Sequence, residues 1–145
     1  MGYTHYWYRP KEIEPITFVK IKMDFERVLP ALTEAGIKLG NGYGLGFPIM
    51  NGEMILFNGP GSQGYEGMNF PRILTLHPDD QPNEQGHHFE FCKTDQRPYD
   101  LAVTAFLLIA KHHLQDDLII RSDKGHSNWE AAQKLCEPIL NYDVA

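Results

Sequence analysis

The segment Phe91-Cys92-Lys93-Thr94-Asp95-Gln96-Arg97-Pro98-Tyr99-Asp100 runs from a strand end through a short turn into the start of a helix. The first helical turn leaves backbone N–H groups without intrahelical partners and carries the positive end of the dipole, so it favours an anion. Lys93 and Arg97 add charge there and Thr94 a hydroxyl, and the chemistry they suggest is binding of an anion or phosphate ester. The plain alternative is a helix start capped by Thr94 or Asp95, with Asp100 complementing the dipole and both cations in water. The phosphate-loop pattern G-x-x-x-x-G-K-[ST] is absent.

A second group of residues opens the chain. Tyr3-Thr4-His5-Tyr6-Trp7-Tyr8, ended by Arg9-Pro10, reads as a strand closed by proline. Alternation sets Tyr3, His5 and Trp7 on one face and Thr4, Tyr6 and Tyr8 on the other. These rings can stack on a flat ligand such as a nucleobase, unless packing in the core accounts for them. On a later strand His88, Glu90 and Cys92 alternate, but no second ligand cluster and no Pro-Cys-x-x-Cys accompanies them, so no metal is expected. That side then reads as the solvent face, with Phe89 and Phe91 turned to the core. Lys111, His112 and His113 close a helix, where the dipole accounts for them. Asp123 follows a short strand and stands either at a strand-end cleft or in a plain turn.

Neither a Gly-x-Ser-x-Gly elbow nor the paired His-x-Thr pattern of small phosphoesterases occurs, and neither cysteine has the surroundings of a thiol nucleophile, so no catalytic residue is assigned. The alternative to binding is a small hydrolase with Asp100 or Asp123 as base beside His5, and Lys93 and Arg97 stabilising developing charge.

Five stretches together resemble a family of phage and bacterial proteins that begin MGYTHY and have no established activity. They are Met1 to Tyr6, LFNG at Leu56 to Gly59, FPRI at Phe70 to Ile73, FCKT and PYD within Phe91 to Asp100, and Ser122-Asp123 followed by Trp129. The resemblance covers nearly the whole chain. It implies a role for the polar members of those motifs: His5, Tyr6, Asn58, Arg72, Lys93, Thr94, Tyr99, Asp100 and Asp123. Lys124 stands between Asp123 and Gly125, where such proteins often read SDG directly, and this departure weakens the transfer for Asp123. A phage setting implies sequestration of a signalling nucleotide, an anti-defence use.

With 145 residues, 42% of them hydrophobic and 22% charged, the chain reads as one globular domain spanning residues 1–145. Cys92 and Cys136 lie far apart and, with no secretory leader evident, read as reduced thiols in the cytoplasm, the host cytoplasm for a phage-encoded chain. Gly2 invites myristoylation, but Tyr6 replaces the Ser or Thr that modification needs. The longest apolar run, Leu101 to Ala110, is about half the roughly 20 residues of a membrane span, so no membrane partner is expected. A net charge of −6 with scattered cations disfavours a nucleic acid polymer. A homodimer is expected on base rates alone.

The elements that must position these residues follow from periodicity. Phe18, Ile21, Phe25, Val28, Leu29 and Leu32 form a helical stripe that starts near a Thr17 cap, bends at Pro30 and stops at Gly36. Strands are expected at 53–57, 70–76, 88–93 and 117–121, and a helix apolar nearly all round at 98–114 with Pro98 in its first position. Ser127-Asn128-Trp129-Glu130 matches a capping box and opens a last helix. The fold class is α+β: a mostly antiparallel central sheet with about three helices, the 98–114 helix packed centrally on one face. The expected function is binding of a phosphate-containing, nucleotide-derived small molecule by the motif residues above together with Trp7 and Arg97, with no cofactor. The alternatives are hydrolysis of a nucleotide or phosphodiester, or a ligand-free protein–protein inhibitor.

Overall fold

The computed structural model describes residues 3–123 and 128–142. Its elements are β1 (Thr4–Arg9), α1 (Pro15–Glu34), β2 (Ile49–Met50), β3 (Met54–Phe57), β4 (Met68–Pro71), β5 (His88–Lys93), α2 (Asp100–Leu114), β6 (Ile119–Ser122) and α3 (Asn128–Leu140). The class is α+β, as the periodicity implies, but the strands divide into two three-stranded antiparallel sheets, β5-β1-β6 and β2-β3-β4. β1 therefore lies at the centre of its sheet, between two strands from the second half of the chain.

Both sheets share one core. Trp7 from β1, Ile55 and Phe57 from β3, and Phe70 from β4 are at most 1% exposed and meet Phe18, Phe25 and Phe106 of the helices. Phe106 takes edge-to-face contacts from Phe25 at 5.3 Å and Phe70 at 5.0 Å, the geometry that aligns ring edges with ring faces. α2 is buried continuously from Ala102 to Ala110 and packs on both α1 and α3, as an all-round apolar helix must.

Several boundaries depart from periodicity. α1 begins at Pro15 without a side-chain cap, so Thr17 lies inside the helix rather than capping it. Pro15 supplies the fixed φ of a first-turn residue instead. β4 ends at Pro71, which has no N–H to continue the ladder, and beyond it only Ile73 forms a bridge, to Glu12. α2 begins at Asp100, with Pro98 in the preceding turn. Ser127 of the expected capping box lies outside the described residues.

The largest correction concerns β5. His5 pairs opposite Cys92 and Trp7 opposite Glu90, and directly opposed residues share a face. With His5 and Trp7 inward, Cys92 and His88 are buried, while Phe89 and Phe91 stand outside at 50% and 56% exposure. The expected solvent face of this strand is its core face. Burial, first of all, pushes the thiols of both Cys92 and Cys136 up to about 12. At pH 8 roughly one in ten thousand of such thiols is ionised. Ellman's reagent should therefore find no reactive thiol in the native protein and two after denaturation, and a fast native phase would contradict this burial.

Two arginines tie the layers together. Arg9, fully buried, donates to the carbonyls of Pro10 (3.0 Å), Pro71 (2.6 Å) and Arg72 (3.0 Å) and lies over Phe70, and desolvation lowers its pKa to about 10. Arg72, a motif residue, pairs with Glu53 at 3.1 Å and donates to Ile13 O at 3.2 Å, so it braces the second sheet. At the far end of α2, Asp24 accepts from His113 (2.7 Å) and Tyr142 (2.5 Å), and His112 stacks on Tyr142. These histidines hold α1 and the chain's end together beyond any service to the helix dipole.

Asn58 is a hub of the glycine loops. Its Nδ2 donates to Gly42 O (3.1 Å) and Tyr65 O (2.9 Å), and its Oδ1 accepts from Gly59 N (2.8 Å) and Tyr65 N (3.1 Å). The loops approach so closely that a Cβ on Gly44, at φ +76°, would sit 2.6 Å from Gly59 O. The loop held this way exposes Tyr43 and Phe47 by 91% and 86%. Asn58→Ala strands four backbone groups and should cost about 3 kcal/mol. It should also open Tyr43 and Phe47 to limited chymotrypsin digestion, followed by mass spectrometry; unchanged stability and cleavage would refute this role.

Candidate functional site

His5 points inward from β1 by alternation, is fully buried, and lies between the ring edges of Tyr3 (5.1 Å) and Trp129 (5.4 Å). Its Nε2 is 2.7 Å from Asp100 Oδ1 and its Nδ1 is 2.5 Å from Ser122 Oγ. Ser122 is the cross-strand partner of His5 on β6, whereas Asp100 opens α2, so the three residues meet only because β1 lies beside β6 and above that helix start. Thr94 donates its hydroxyl to the same Asp100 oxygen.

The turn between β5 and α2 sets the carboxylate in place. Thr94 N and Asp95 N donate to Tyr3 O at 2.9 and 3.1 Å, Arg97 N donates to Thr94 O, and Asp100 N to Arg97 O. Asp95 and Gln96 both take φ +55°, which folds the chain back on itself. Aspartate tolerates that region, while for glutamine it costs on the order of 1 kcal/mol. The Asp100 carboxylate lies in the first turn of α2, 1% exposed, and is engaged by His5 and Thr94.

An ionised carboxylate only accepts hydrogen bonds, so Asp100 fixes the proton of His5 on Nε2. In the neutral imidazole Nδ1 is then the acceptor and the Ser122 hydroxyl the donor. Ser122 also lines a cleft of about 530 Å³ between β6 and α3, with Leu108, Ile120, Arg121, Trp129 and Gln133. The hydroxyl of a residue that lines this cleft is therefore coupled through an imidazole to a buried carboxylate.

Among the described residues the buried Tyr3 hydroxyl makes no hydrogen bond of ordinary geometry, and Ser122 lies near it. Burial, and then the charges of Asp100 and Asp123, push the Tyr3 pKa up to about 12, so the phenol stays a donor at neutral pH. Asp123 Oδ2 accepts from Thr4 N, and Asp123 N donates to Thr4 O, both at 3.0 Å, which pins the end of β6 to β1.

The motif residues thus separate into groups. His5, Thr94 and Asp100 form the network, and Asp123 borders it. Trp7 is core, Asn58 and Arg72 brace loops and a sheet, and Tyr99 is buried with its hydroxyl on Glu66 O at 2.5 Å. Lys93 and Arg97 lie over Tyr65 at 5.5 and 5.6 Å, away from the residues that line the cleft, and Tyr6 is on the outer face of the sheet beside Phe89. Ser122, Trp129 and Tyr3 were not among the expected site residues, although Ser122 and Trp129 stand in a quoted motif. The signal they offered was a shared stretch, without a chemical pattern.

Among the described residues no group of three or more His, Cys, Asp or Glu side chains could hold a metal ion, and no helix is long and apolar enough to cross a membrane. No protein-family model matches the chain, and neither a curated protein nor a solved structure gives a significant match.

Proposed function

We propose that this protein is a small hydrolase in which Ser122 is the nucleophile, His5 the general base and acid, and Asp100 the group that orients and stabilises the imidazole. The observation that carries this reading is the continuous Ser122–His5–Asp100 hydrogen-bonded chain, ending in a hydroxyl on a cleft wall. The substrate class is a neutral carboxylic ester. Leu108, Ile120 and Trp129 give the cleft apolar walls that suit such a substrate, and Arg121 also lines it, its Nη1 donating to Ile120 O at 2.9 Å.

Ser122 Oγ attacks the carbonyl carbon as its proton passes to His5 Nδ1. The ester C–O bond then breaks, and the leaving oxygen takes that proton, giving an alcohol and an acyl-serine. Water attacks the acyl carbon with His5 again taking a proton; the bond to Ser122 breaks, and His5 returns the proton to Oγ. The Tyr3 hydroxyl, buried near Ser122, is the proposed donor for the negative charge that develops on the carbonyl oxygen. The nucleotide-like ligand and the sequestering, anti-defence use that the resemblance implies carry over to this cleft only as a proposal.

The test is release of p-nitrophenol from p-nitrophenyl acetate and butyrate, with bis(p-nitrophenyl) phosphate as the anionic comparison. Hydrolysis of the carboxylic esters that disappears in Ser122→Ala is expected. Equal rates for wild type and Ser122→Ala would overturn the proposal.

A further inference from the structure

The outer face of β5-β1-β6 carries no helix; the helices pack on its other side through His5, Trp7 and Cys92. Tyr6 and Tyr8 of β1 stand beside Phe89 of β5, with centroids 5.9 and 5.5 Å apart, and Phe91 follows at 5.9 Å. Two cations flank the rings: Lys93 continues β5 past Phe91, and Arg121 is the cross-strand partner of Tyr6. The remaining strand residues of that face are Thr4 and Ile119, so the face holds no carboxylate within the strands. Asp123, just beyond β6, is engaged by Thr4 N, and Asp95, just beyond β5, pairs with Arg97 at 3.5 Å. Half-exposed Tyr65 extends the surface past β5, with Lys93 and Arg97 over its ring.

We infer that this face binds a single-stranded oligonucleotide, bases on Tyr6, Tyr8, Phe89 and Phe91 and phosphates on Lys93 and Arg121. An aromatic sheet with flanking cations offers stacking to any base, and only unpaired bases can lie on it. Charge selects this occupant. The strand residues of this face are four rings and two cations beside Thr4 and Ile119, which complement a polyanion with flat groups, and the Glu66 carboxylate at the edge of β5 accepts from Lys93 N at 2.7 Å. The rest of the chain's charge is screened beyond about 8 Å at physiological salt, so the local cations decide the contact. This surface meets the cleft of Ser122 at Arg121, which belongs to both, while its four rings lie outside that cleft.

The experiment is fluorescence anisotropy with a labelled ten-nucleotide oligothymidylate at 50 mM NaCl, beside duplex DNA and free AMP. Binding of the single strand in preference to the duplex is expected, weakened about sevenfold at 200 mM NaCl, as two phosphate contacts on a single strand require. Phe91→Ala and Phe89→Ala should each weaken it at least about fivefold. The pair Lys93→Gln and Arg121→Gln should remove most of the salt dependence. These are surface positions, and matching melting temperatures establish that the variants are folded. Ser122→Ala should bind like wild type, so loss of hydrolysis and loss of oligonucleotide binding are read separately. Binding of AMP as tight as that of the strand would assign the face to a free nucleotide and overturn the strand. No binding by the folded wild type, or binding indifferent to both phenylalanines, would sink the proposal. A dimer by light scattering that Phe91→Ala dissociates would show the face to be a self-association surface and would equally end it.

Discussion

Diisopropyl fluorophosphate should leave a single diisopropylphosphoryl group on Ser122, visible as one adduct in intact mass and placed by peptide mapping. The reagent is neutral and needs only a hydroxyl whose proton has an acceptor, which His5 Nδ1 provides at 2.5 Å. Asp100→Asn is the informative variant. An amide facing Nε2 can donate, so it permits the tautomer with the proton on Nδ1, and Ser122 then loses its base. The same exchange in a serine triad lowers the rate by roughly 10⁴, so a fall of about 10³ to 10⁴ in labelling and ester hydrolysis is expected. Tyr3→Phe separates catalysis from folding. Deleting a buried hydroxyl that makes no hydrogen bond of ordinary geometry should leave stability unchanged or raise it by about 1 kcal/mol. The loss of a donor to the oxyanion should nevertheless lower kcat by about 10²-fold. An unlabelled Ser122 in the folded protein would reduce the network to a structural clamp.

Asp100→Ala should destabilise the protein by about 3 to 5 kcal/mol, because it removes one member of a buried pair and leaves the other polar groups without their acceptor. His5 Nε2–H and the Thr94 hydroxyl both depend on that oxygen, and His5 is fully buried, so water cannot replace it. Against a total stability of about 5 to 15 kcal/mol this is a large share, and it should appear as a fall in Tm on the order of 10 °C. Thr94→Val, which removes one donor and leaves Asp100 paired with His5, should cost about 1 kcal/mol. Urea unfolding of the two variants beside wild type is the measurement. Equal, small losses would mean that the carboxylate is not the centre of the network. The combined outcome separates two roles: a clamp gives the stability effect without Ser122 labelling, whereas a catalytic network gives both.

Local pattern and tertiary pairing contributed different parts of this protein. The alternation of Tyr3, His5 and Trp7 against Thr4, Tyr6 and Tyr8 requires only the two-residue period of a strand, and it survives unchanged in β1. The apolar sequence of α2 likewise leaves that helix no exposed side, so its central place is legible from composition. The side of β5 that faces the core is not. Phe89-Glu90-Phe91 and His88-Glu90-Cys92 alternate equally well, and apolarity alone points Phe89 and Phe91 inward. The observed orientation comes from register with β1, which ties Cys92 to His5 and Glu90 to Trp7.

The same distinction divides the candidate site. His5, Thr94 and Asp100 could be singled out by residue type, and a base beside His5 was among the expected chemistries. That the Asp100 carboxylate meets His5 and Thr94 depends on the turn at Asp95 and Gln96, which no local pattern marks. Ser122 lies 117 residues from His5, and nothing local in a serine after Ile-Ile-Arg marks a nucleophile. Strand periodicity and helix composition are properties of neighbouring residues, so the sequence by itself determined them. The register of β1 with β5 and β6 depends on which distant segments pair, and only the tertiary structure decided which hydroxyl meets the imidazole and which rings face water.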